Sequence, residues 1–322
     1  MLCSSHIYPA SGRVGAGLKP LEYPSRSGFH IHDVLAKGLA ELGQDVFYYL
    51  PDGAGEPMPP GVTLVTKPGA QVDILHTTTS GGDGLPDRLR ALEKPWVTTC
   101  HLDLRERGLD RLPSKNNWIF VSRTLAASHG SERYVLNGLD PVDYIYSESK
   151  DDFVLFMSTM DWGFKKGLDI AVALAKYFGL KLVVAGTGKE QSAIDRVADL
   201  CKRVRATYVG DVRGAKKAEL LASARALLYP SRLNEAFGLP IVEAMMSGTP
   251  VVCSDRGACP EIVSAEVGFI CETWDDYVEA IGRIHEISPR KCRERALTEY
   301  HYSRMTRDYL REYQKELDRL PA

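Results

Sequence analysis

Short apolar runs alternate with helix-period segments along the whole chain, and this alternation constrains the fold more than any other feature. In the C-terminal half the runs Phe153–Met157, Leu182–Ala185, Thr207–Val209, Ala226–Tyr229, Pro250–Cys253 and Gly268–Ile270 read as strands. Between them Gly167–Phe178, Glu190–Cys201, Lys216–Ala224 and Pro240–Met246 repeat apolar residues at helical spacing. The N-terminal half repeats the pattern. It offers strands at Met1–Ser5, Gln44–Leu50, Val72–Thr77, Trp96–Thr99 and Trp118–Ser122, with helices at His30–Leu42 and Pro86–Leu92. Met1–Ser5 reads as the second half of a strand rather than a whole one. Strands alternating in this way with longer helices predict parallel sheets built from βαβ units.

With 322 residues the chain is long for one domain and comfortable for two. The expected division is a Rossmann-like domain over 1–140, a polar linker over 141–152 and a second Rossmann-like domain over 153–288. A charged helical segment over 289–322 follows, crossing back onto the first domain and docking through Tyr300, Tyr302, Tyr309 and Tyr313. Hydrophobic content of 44% and charged content of 25% supply two cores without disulfide staples. A net charge of −2 provides no basic field for nucleic acid. Seven scattered cysteines without a Cys-x-x-Cys pair read as reduced, mostly buried thiols. No apolar run reaches the ~18 residues of a membrane span, and no signal peptide is legible. The expected location is cytoplasmic, with peripheral attachment at the inner membrane face left open.

The chemistry concentrates between Tyr229 and Glu261. A strand ends at Tyr229, and the chain then runs Pro-Ser-Arg-Leu-Asn-Glu235-Ala-Phe237-Gly238-Leu239-Pro240-Ile-Val-Glu243-Ala-Met. Pro240 opens a helix, where its missing N–H does no harm, and Gly238 permits a tight backbone just before it. The unpaired N–H groups and the dipole of such a helix form a seat for a diphosphate. Glu235 precedes the helix and Glu243 lies roughly 5 Å along it from Pro240 at 1.5 Å per residue. Carboxylates in these places suit sugar or ribose hydroxyls, which donate to them, rather than phosphate.

Embedded in Asn-Glu-Ala-Phe-Gly-Leu-Pro-Ile-Val-Glu-Ala-Met, followed by Gly-Thr-Pro-Val-Val, this Glu-x7-Glu pair resembles the signature of retaining family-4 glycosyltransferases (glycosyl transferases group 1) of the GT-B fold. Other segments resemble the same family. Ser254-Asp-Arg-Gly257-Ala-Cys-Pro260-Glu261 matches the following loop, and Val184-Ala-Gly186-Thr-Gly188 the glycine loop of the donor domain. Tyr208-Val209-Gly210-Asp211 matches the segment whose backbone reads the nucleobase, and Asn137-Gly138 the turn closing the first domain. The resemblance implies an α/β fold of two Rossmann-like doubly wound domains facing across a cleft. It implies catalytic roles for Glu235 at the donor sugar, His101 near the sugar's sixth carbon and Lys166 at the donor phosphates. Donor binding is implied for Gly28, Gly186, Val209, Gly210, Phe237, Gly238, Leu239 and, at the ribose, Glu243.

The implied function is metal-independent transfer of a hexose-type sugar, with retention, from a nucleoside-diphosphate sugar to a hydroxyl on a glycan, lipid or small molecule. UDP, GDP and ADP donors all fit, with UDP favoured by its frequency in the family. The nucleotide sugar is a co-substrate, and no cofactor is expected. No Asp-x-Asp motif stands beside the donor segment, and a helix dipole with a lysine can replace a metal ion's charge. The alternatives are an epimerase or phosphorylase on the same scaffold, or a non-catalytic sugar-nucleotide binding protein. One departure supports the last. The family's arginine about six residues before the lysine is absent from Ser158-Thr-Met160-Asp-Trp162, leaving Lys165, Arg213 and Arg232 as substitute cations.

Three further features carry less. Gly12, Gly15 and Gly17 make a loop able to close over substrates, or simply a disordered one. His30-Ile-His32 lacks a third ligand at metal spacing. The run Arg105-Glu-Arg107, Arg111, Lys115 reads as a solvated face, with an anionic acceptor or membrane surface as the alternative.

Overall fold

The computed structural model describes residues 2–3, 27–49, 60–67, 69, 71–78, 87–107 and 117–319. The glycine loop expected at Gly12, Gly15 and Gly17 lies outside them, as do Arg111 and Lys115 of the basic run. The chain divides into two compact units, Met1–Asp140 with Tyr300–Ala322, and Pro141–Glu299.

The first unit is built on strands β1 (Leu2–Cys3), β2 (Val46–Tyr49), β3 (Val62–Val65), β4 (Leu75–Thr78), β5 (Trp96–Cys100) and β6 (Trp118–Phe120). They form one parallel sheet in the order β3-β2-β1-β4-β5-β6. Strand order reverses at β1, the topological switch point of a doubly wound sheet. Helix α1 (Ser27–Glu41) buries Ile31, Val34, Leu35 and Leu39. Short helices α2 (Asp87–Arg90) and α3 (Arg123–Ser128) follow β4 and β6. Edge strand β3 was not expected from the sequence. Its four residues alternate too briefly, with only Val62 buried, to stand out between Gly61 and Thr66.

The C-terminal segment, expected as one helix, is two. Helix α10 (Pro289–Glu299) packs in the second unit, and α11 (Tyr302–Leu317) in the first. The break follows from long-range pairing: Leu139 N–H donates to the Tyr300 carbonyl at 2.8 Å and Tyr302 N–H to the Leu139 carbonyl at 3.0 Å. Gly138 is required there, because a Cβ would stand 2.7 Å from Tyr302 Cα. One face of α11 buries Met305, Thr306, Tyr309 and Tyr313, and its Glu312 and Glu316 pair with Arg133 at 2.9 and 2.7 Å.

That face also closes a buried polar chain. His76 Nδ1 lies 2.6 Å from the Tyr313 hydroxyl, its Nε2 2.7 Å from Thr99 Oγ1, and Thr99 Oγ1 2.7 Å from the Tyr309 hydroxyl. A neutral imidazole satisfies every partner by accepting from Tyr313 and donating to Thr99. Burial pushes the His76 pKa down to about 3. The unfolded chain therefore binds a proton near pH 6.5 that the folded protein refuses, and stability present above that pH is lost as pH falls toward 3. At pH 5 the expected loss is about 2 kcal/mol, from about 1.36 kcal/mol per pH unit below 6.5. Denaturant unfolding at pH 7 and pH 5 checks this. His76→Gln, which keeps one donor and one acceptor, should remove most of the difference, and an undiminished difference would refute the assignment. His32, also buried, packs its ring 4.9 Å from that of His76 and belongs to this core.

The second unit carries strands β7 (Phe153–Met157), β8 (Lys181–Ala185), β9 (Thr207–Gly210), β10 (Ala226–Tyr229), β11 (Val251–Ser254) and β12 (Gly268–Cys271). All neighbours are parallel, in the order β12-β11-β10-β7-β8-β9, and the switch point falls between β7 and β10. Helices α4 (Leu168–Phe178), α5 (Gln191–Val204), α6 (Gly214–Ser223), α7 (Leu239–Met246), α8 (Cys259–Ile262) and α9 (Trp274–Arg283) complete it. Helix α9 was missed in the sequence although Thr273 and Asp276 form a reciprocal capping box at its start.

The stretch expected as a polar linker is anchored to this unit. Lys150 Nζ donates to the Ala222 carbonyl at 2.7 Å, the Ser247 carbonyl at 3.3 Å and Thr249 Oγ1 at 2.9 Å, joining the ends of α6 and α7. Burial pulls the Lys150 pKa down to about 8. The six described cysteines outside β1 are free and buried. Among the described residues no helix is long and apolar enough to cross a membrane.

Candidate functional site

In an open parallel sheet the loops leaving the carboxyl ends of the two switch-point strands border the crevice in which ligands bind. In the second unit these are the loops after β7 and β10. Their backbones pair directly, with Arg232 N–H donating to the Lys165 carbonyl at 2.9 Å. Gly167, at φ +84°, allows this approach, because any Cβ there would run into the Pro230 backbone. The pairing sets Lys166 beside Glu235.

Glu235 is 8% exposed and densely partnered. Lys166 Nζ donates to both carboxylate oxygens at 2.6 and 2.7 Å, the Tyr229 hydroxyl donates to Oε2 at 2.9 Å, and Ser231 Oγ donates to Oε1. Burial, with the Glu235 carboxylate beside it, raises the Tyr229 pKa and keeps the hydroxyl a donor. The Glu235 backbone is fixed from the other side by Ala258 N–H, which donates to its carbonyl at 2.9 Å. Tyr229 and Ser231 were not singled out in the sequence, although they flank Pro230 within the same motif.

Gly238 takes φ +92° at the N-cap of α7, and Pro240 lies in the first turn. In its first turn Pro240 has no N–H and Ile241 N–H donates to the Gly238 carbonyl at 2.9 Å, which leaves Leu239 N–H without an intrahelical partner, next to Glu235 in the chain. Phe237 is buried, while Leu239 is partly exposed. Glu243 sits one turn in and is 1% exposed. Its Oε1 accepts from Lys217 Nζ at 2.6 Å and from the Tyr144 hydroxyl at 3.2 Å. Neither partner was anticipated. Lys217 was legible in principle, since it lies four residues before Leu221 on the buried stripe of α6.

Gly186 and the Val209–Gly210 pair come together at the ends of β8 and β9. Gly186 N–H donates to the Gly210 carbonyl at 2.8 Å and the Tyr208 hydroxyl to the Gly186 carbonyl at 2.8 Å. Gly186, at φ +134°, is required for packing against the Ser158 backbone. Gly210, at φ +70°, faces open space.

The region of the absent arginine has its own local logic. Met160 is buried, and Asp161 accepts from Lys189 N–H at 2.9 Å and Glu190 N–H at 3.1 Å at the start of α5. Those two bonds hold the Asp161 carboxyl below the usual range. The three substitute cations are all engaged. Lys165 lies 4.9 Å over the Trp162 ring, Arg213 pairs with Asp211 at 2.5 Å, and Arg232 forms a fork with Asp169 at 2.7 Å on both arms.

His101 and Gly28 belong to the first unit. His101 directly follows β5 at its carboxyl end and is partly buried. Gly28 lies in the first turn of α1, not in a loop ahead of it, because the helix begins at Ser27. Arg105, from the basic run, is forked onto Asp103 at 3.0 and 2.7 Å. Among the described residues no group of three or more His, Cys, Asp or Glu side chains is arranged to hold a metal ion.

Residues 146–301 match the family described as glycosyl transferases group 1. A phosphatidyl-myo-inositol mannosyltransferase of Mycolicibacterium smegmatis is 29% identical over 139 residues, covering 40% of this chain and 35% of that protein. A similar protein from Mycobacterium leprae is 28% identical over 174 residues, covering 50% of this chain and 46% of its own. The chain thus spans less than half the length of these curated relatives. Among solved structures, AviGT4, a glycosyltransferase involved in avilamycin A biosynthesis, superposes with a TM-score of 0.75 at 23% identity, covering 99% of this chain and 98% of its own. The fold is the α/β GT-B fold of such glycosyltransferases, with a Rossmann-like doubly wound sheet in each unit.

Proposed function

We propose that this chain, which carries a glycosyl transferases group 1 domain over residues 146–301, transfers a hexose-type sugar from a nucleoside-diphosphate sugar to a hydroxyl acceptor with retention of configuration. The observation that carries this reading is the Lys166–Glu235 pair beside the open N-terminus of α7. The helix start and Lys166 meet the diphosphate, Glu235 meets the sugar, and Glu243 takes a ribose hydroxyl. Gly186, Val209 and Gly210 contact phosphate and base through their backbones, and Phe237 and Leu239 flank the sugar. In the first unit, His101 and Gly28 are the residues proposed to take part in the reaction.

The chemistry needs no resident metal ion. As the diphosphate leaves, the Lys166 ammonium shifts from Glu235 toward the growing charge. The acceptor hydroxyl gives its proton to a donor phosphate oxygen, so no protein base is required. The names of the curated relatives favour a mannose-type hexose and a lipid or glycan acceptor. The reaction is placed in the cytoplasm, with the acceptor reached in solution or at the membrane face.

A second reading, a sugar-nucleotide binding protein without turnover, is favoured by one observation: Lys165, Arg213 and Arg232 are each held by another group. Thermal-shift screening against UDP, GDP, ADP and their sugars, followed by donor hydrolysis with the best binder, separates the two. We expect stabilisation by one nucleotide series and slow release of its diphosphate. Stabilisation with no turnover against a broad acceptor panel supports the second reading, and stabilisation by none refutes both.

Glu243→Ala should weaken binding of that nucleoside diphosphate by ~1–3 kcal/mol, the range for unpairing a hydrogen bond to a charged group. Calorimetric titration measures it, and unchanged affinity would remove Glu243 from the ribose site.

A further inference from the structure

Glu243 is surrounded in α7 by Ile241, Val242, Ala244, Met245 and Met246, all fully buried. A carboxylate in such surroundings takes up a proton unless an opposite charge keeps it ionised. Lys217 supplies that charge at 2.6 Å, on Oε1, and the Tyr144 hydroxyl donates to the same oxygen. Oε2 is equally buried and has no hydrogen-bond partner among the described residues. An ion pair that served only the fold would satisfy both oxygens, because a buried acceptor left unmade is destabilising. Lys217 is itself 6% exposed, on the stripe that buries Ala218, Leu221 and Ala222.

Other titratable groups on the elements packed around α7 are engaged elsewhere. Arg293 of α10 donates to the Met246 carbonyl, and Lys150 donates to the Ser247 carbonyl. Tyr229 of β10 donates to Glu235, and Cys253 of β11 to the Phe269 carbonyl. Lys217 is the cation paired with Glu243.

We infer that Lys217 is a positioning residue for nucleotide binding: it keeps Glu243 ionised and pins Oε1, leaving Oε2 as a charged acceptor ready for a ribose hydroxyl. This rests on the reading of Glu243 given above. Without Lys217 no opposite charge offsets the burial of the carboxyl, which favours its protonated form, a poor acceptor for the hydroxyl. Nucleotide affinity then becomes pH-dependent.

The test is calorimetric titration with whichever of UDP, GDP and ADP the wild type binds best, from pH 6 to pH 8.5. Wild type and Lys217→Arg should vary less than about threefold across the range. Lys217→Met should bind about tenfold or more weakly at pH 6 and recover as pH rises, following reionisation of the carboxyl. Lys217→Gln, which keeps a donor on Oε1 without the charge, should show the same profile and serves where the methionine variant does not fold. Glu243→Gln should be weak at every pH, with no further loss on adding Lys217→Met. A pH-independent Kd in both neutral Lys217 variants overturns the inference while leaving the donor site intact. Failure of the wild type to bind any of the three nucleotides overturns the reading of the site, and the inference with it.

Discussion

Glu235→Gln is expected to lower sugar transfer by roughly 10²- to 10³-fold, the loss typical of removing one preorganised group from the reacting centre. Binding of the nucleoside diphosphate should stay within about threefold of wild type, a change below ~0.7 kcal/mol. The two readouts part because of the pairing between Lys166 and Glu235. Lys166 Nζ spans both oxygens of Glu235 at 2.6 and 2.7 Å. Neutralising the carboxylate frees the ammonium for the diphosphate, so nucleotide affinity holds or tightens while the sugar-facing charge is lost. Glutamine keeps an acceptor oxygen for one of the Tyr229 and Ser231 hydroxyls and donates its amide N–H to the other, whereas alanine would strand both in the interior. Steady-state release of nucleoside diphosphate in the presence of acceptor gives the first quantity, and calorimetry the second. A parallel fall in both would make Glu235 a nucleotide contact and not a catalytic residue.

Gly257→Ala should strongly disrupt the second unit and, with it, the position of Glu235. Gly257 holds φ +59°, and its Cβ would be pressed into the Glu235 backbone N and O and stand 2.7 Å from Asn234 C. Left-handed backbone in a residue with a side chain and overpacking against main chain each cost about 1–3 kcal/mol. A combined loss of roughly 3 kcal/mol lowers the Tm of a unit this size by about 6–12 °C. The relief route is displacement of Glu235, and a misplacement of about 1 Å at a reacting centre can cost roughly 10²-fold in rate. Thermal unfolding followed with donor turnover checks both. A variant with wild-type Tm and rate would mean that the loop yields without moving Glu235.

Much of this was legible in the sequence because strand and helix periods here are strong and local. Strands β7 and β10 fall where their apolar runs predict them, Phe153–Met157 and Ala226–Tyr229. What the sequence hid is long-range. The break between α10 and α11 depends on Leu139 pairing with Tyr300 and Tyr302, about 160 residues away in the chain, and no composition in 289–322 announces it. Gly186 and Gly257 look like ligand loops, yet the structure also gives each an internal reason: the approach of Ser158 and of the Glu235 backbone. The Glu-x7-Glu spacing named both carboxylates but not what holds them. Lys166 was read as a phosphate contact, and the structure shows it paired with Glu235. Lys217 and Tyr144 come from α6 and from the stretch read as a linker, two segments that only the fold brings to Glu243.

The absent arginine gains a physical description as well. Asp161 holds the Lys189–Glu190 backbone just ahead of α5 through two N–H groups, so this turn is built around an anion where the resemblance led us to expect a cation nearby. Among the described residues Lys166 is the cation paired with Glu235, and under the proposed function its release from that carboxylate precedes departure of the diphosphate.

The proposed function has the carboxyl edge of the second sheet seat a nucleoside diphosphate sugar. Calorimetric titration of the wild-type chain with UDP, GDP and ADP tests it most directly. Saturable one-to-one binding of one of them is expected, retained in Glu235→Gln and weakened in Glu243→Ala. Absence of binding by all three, or equal loss in both variants, would contradict it.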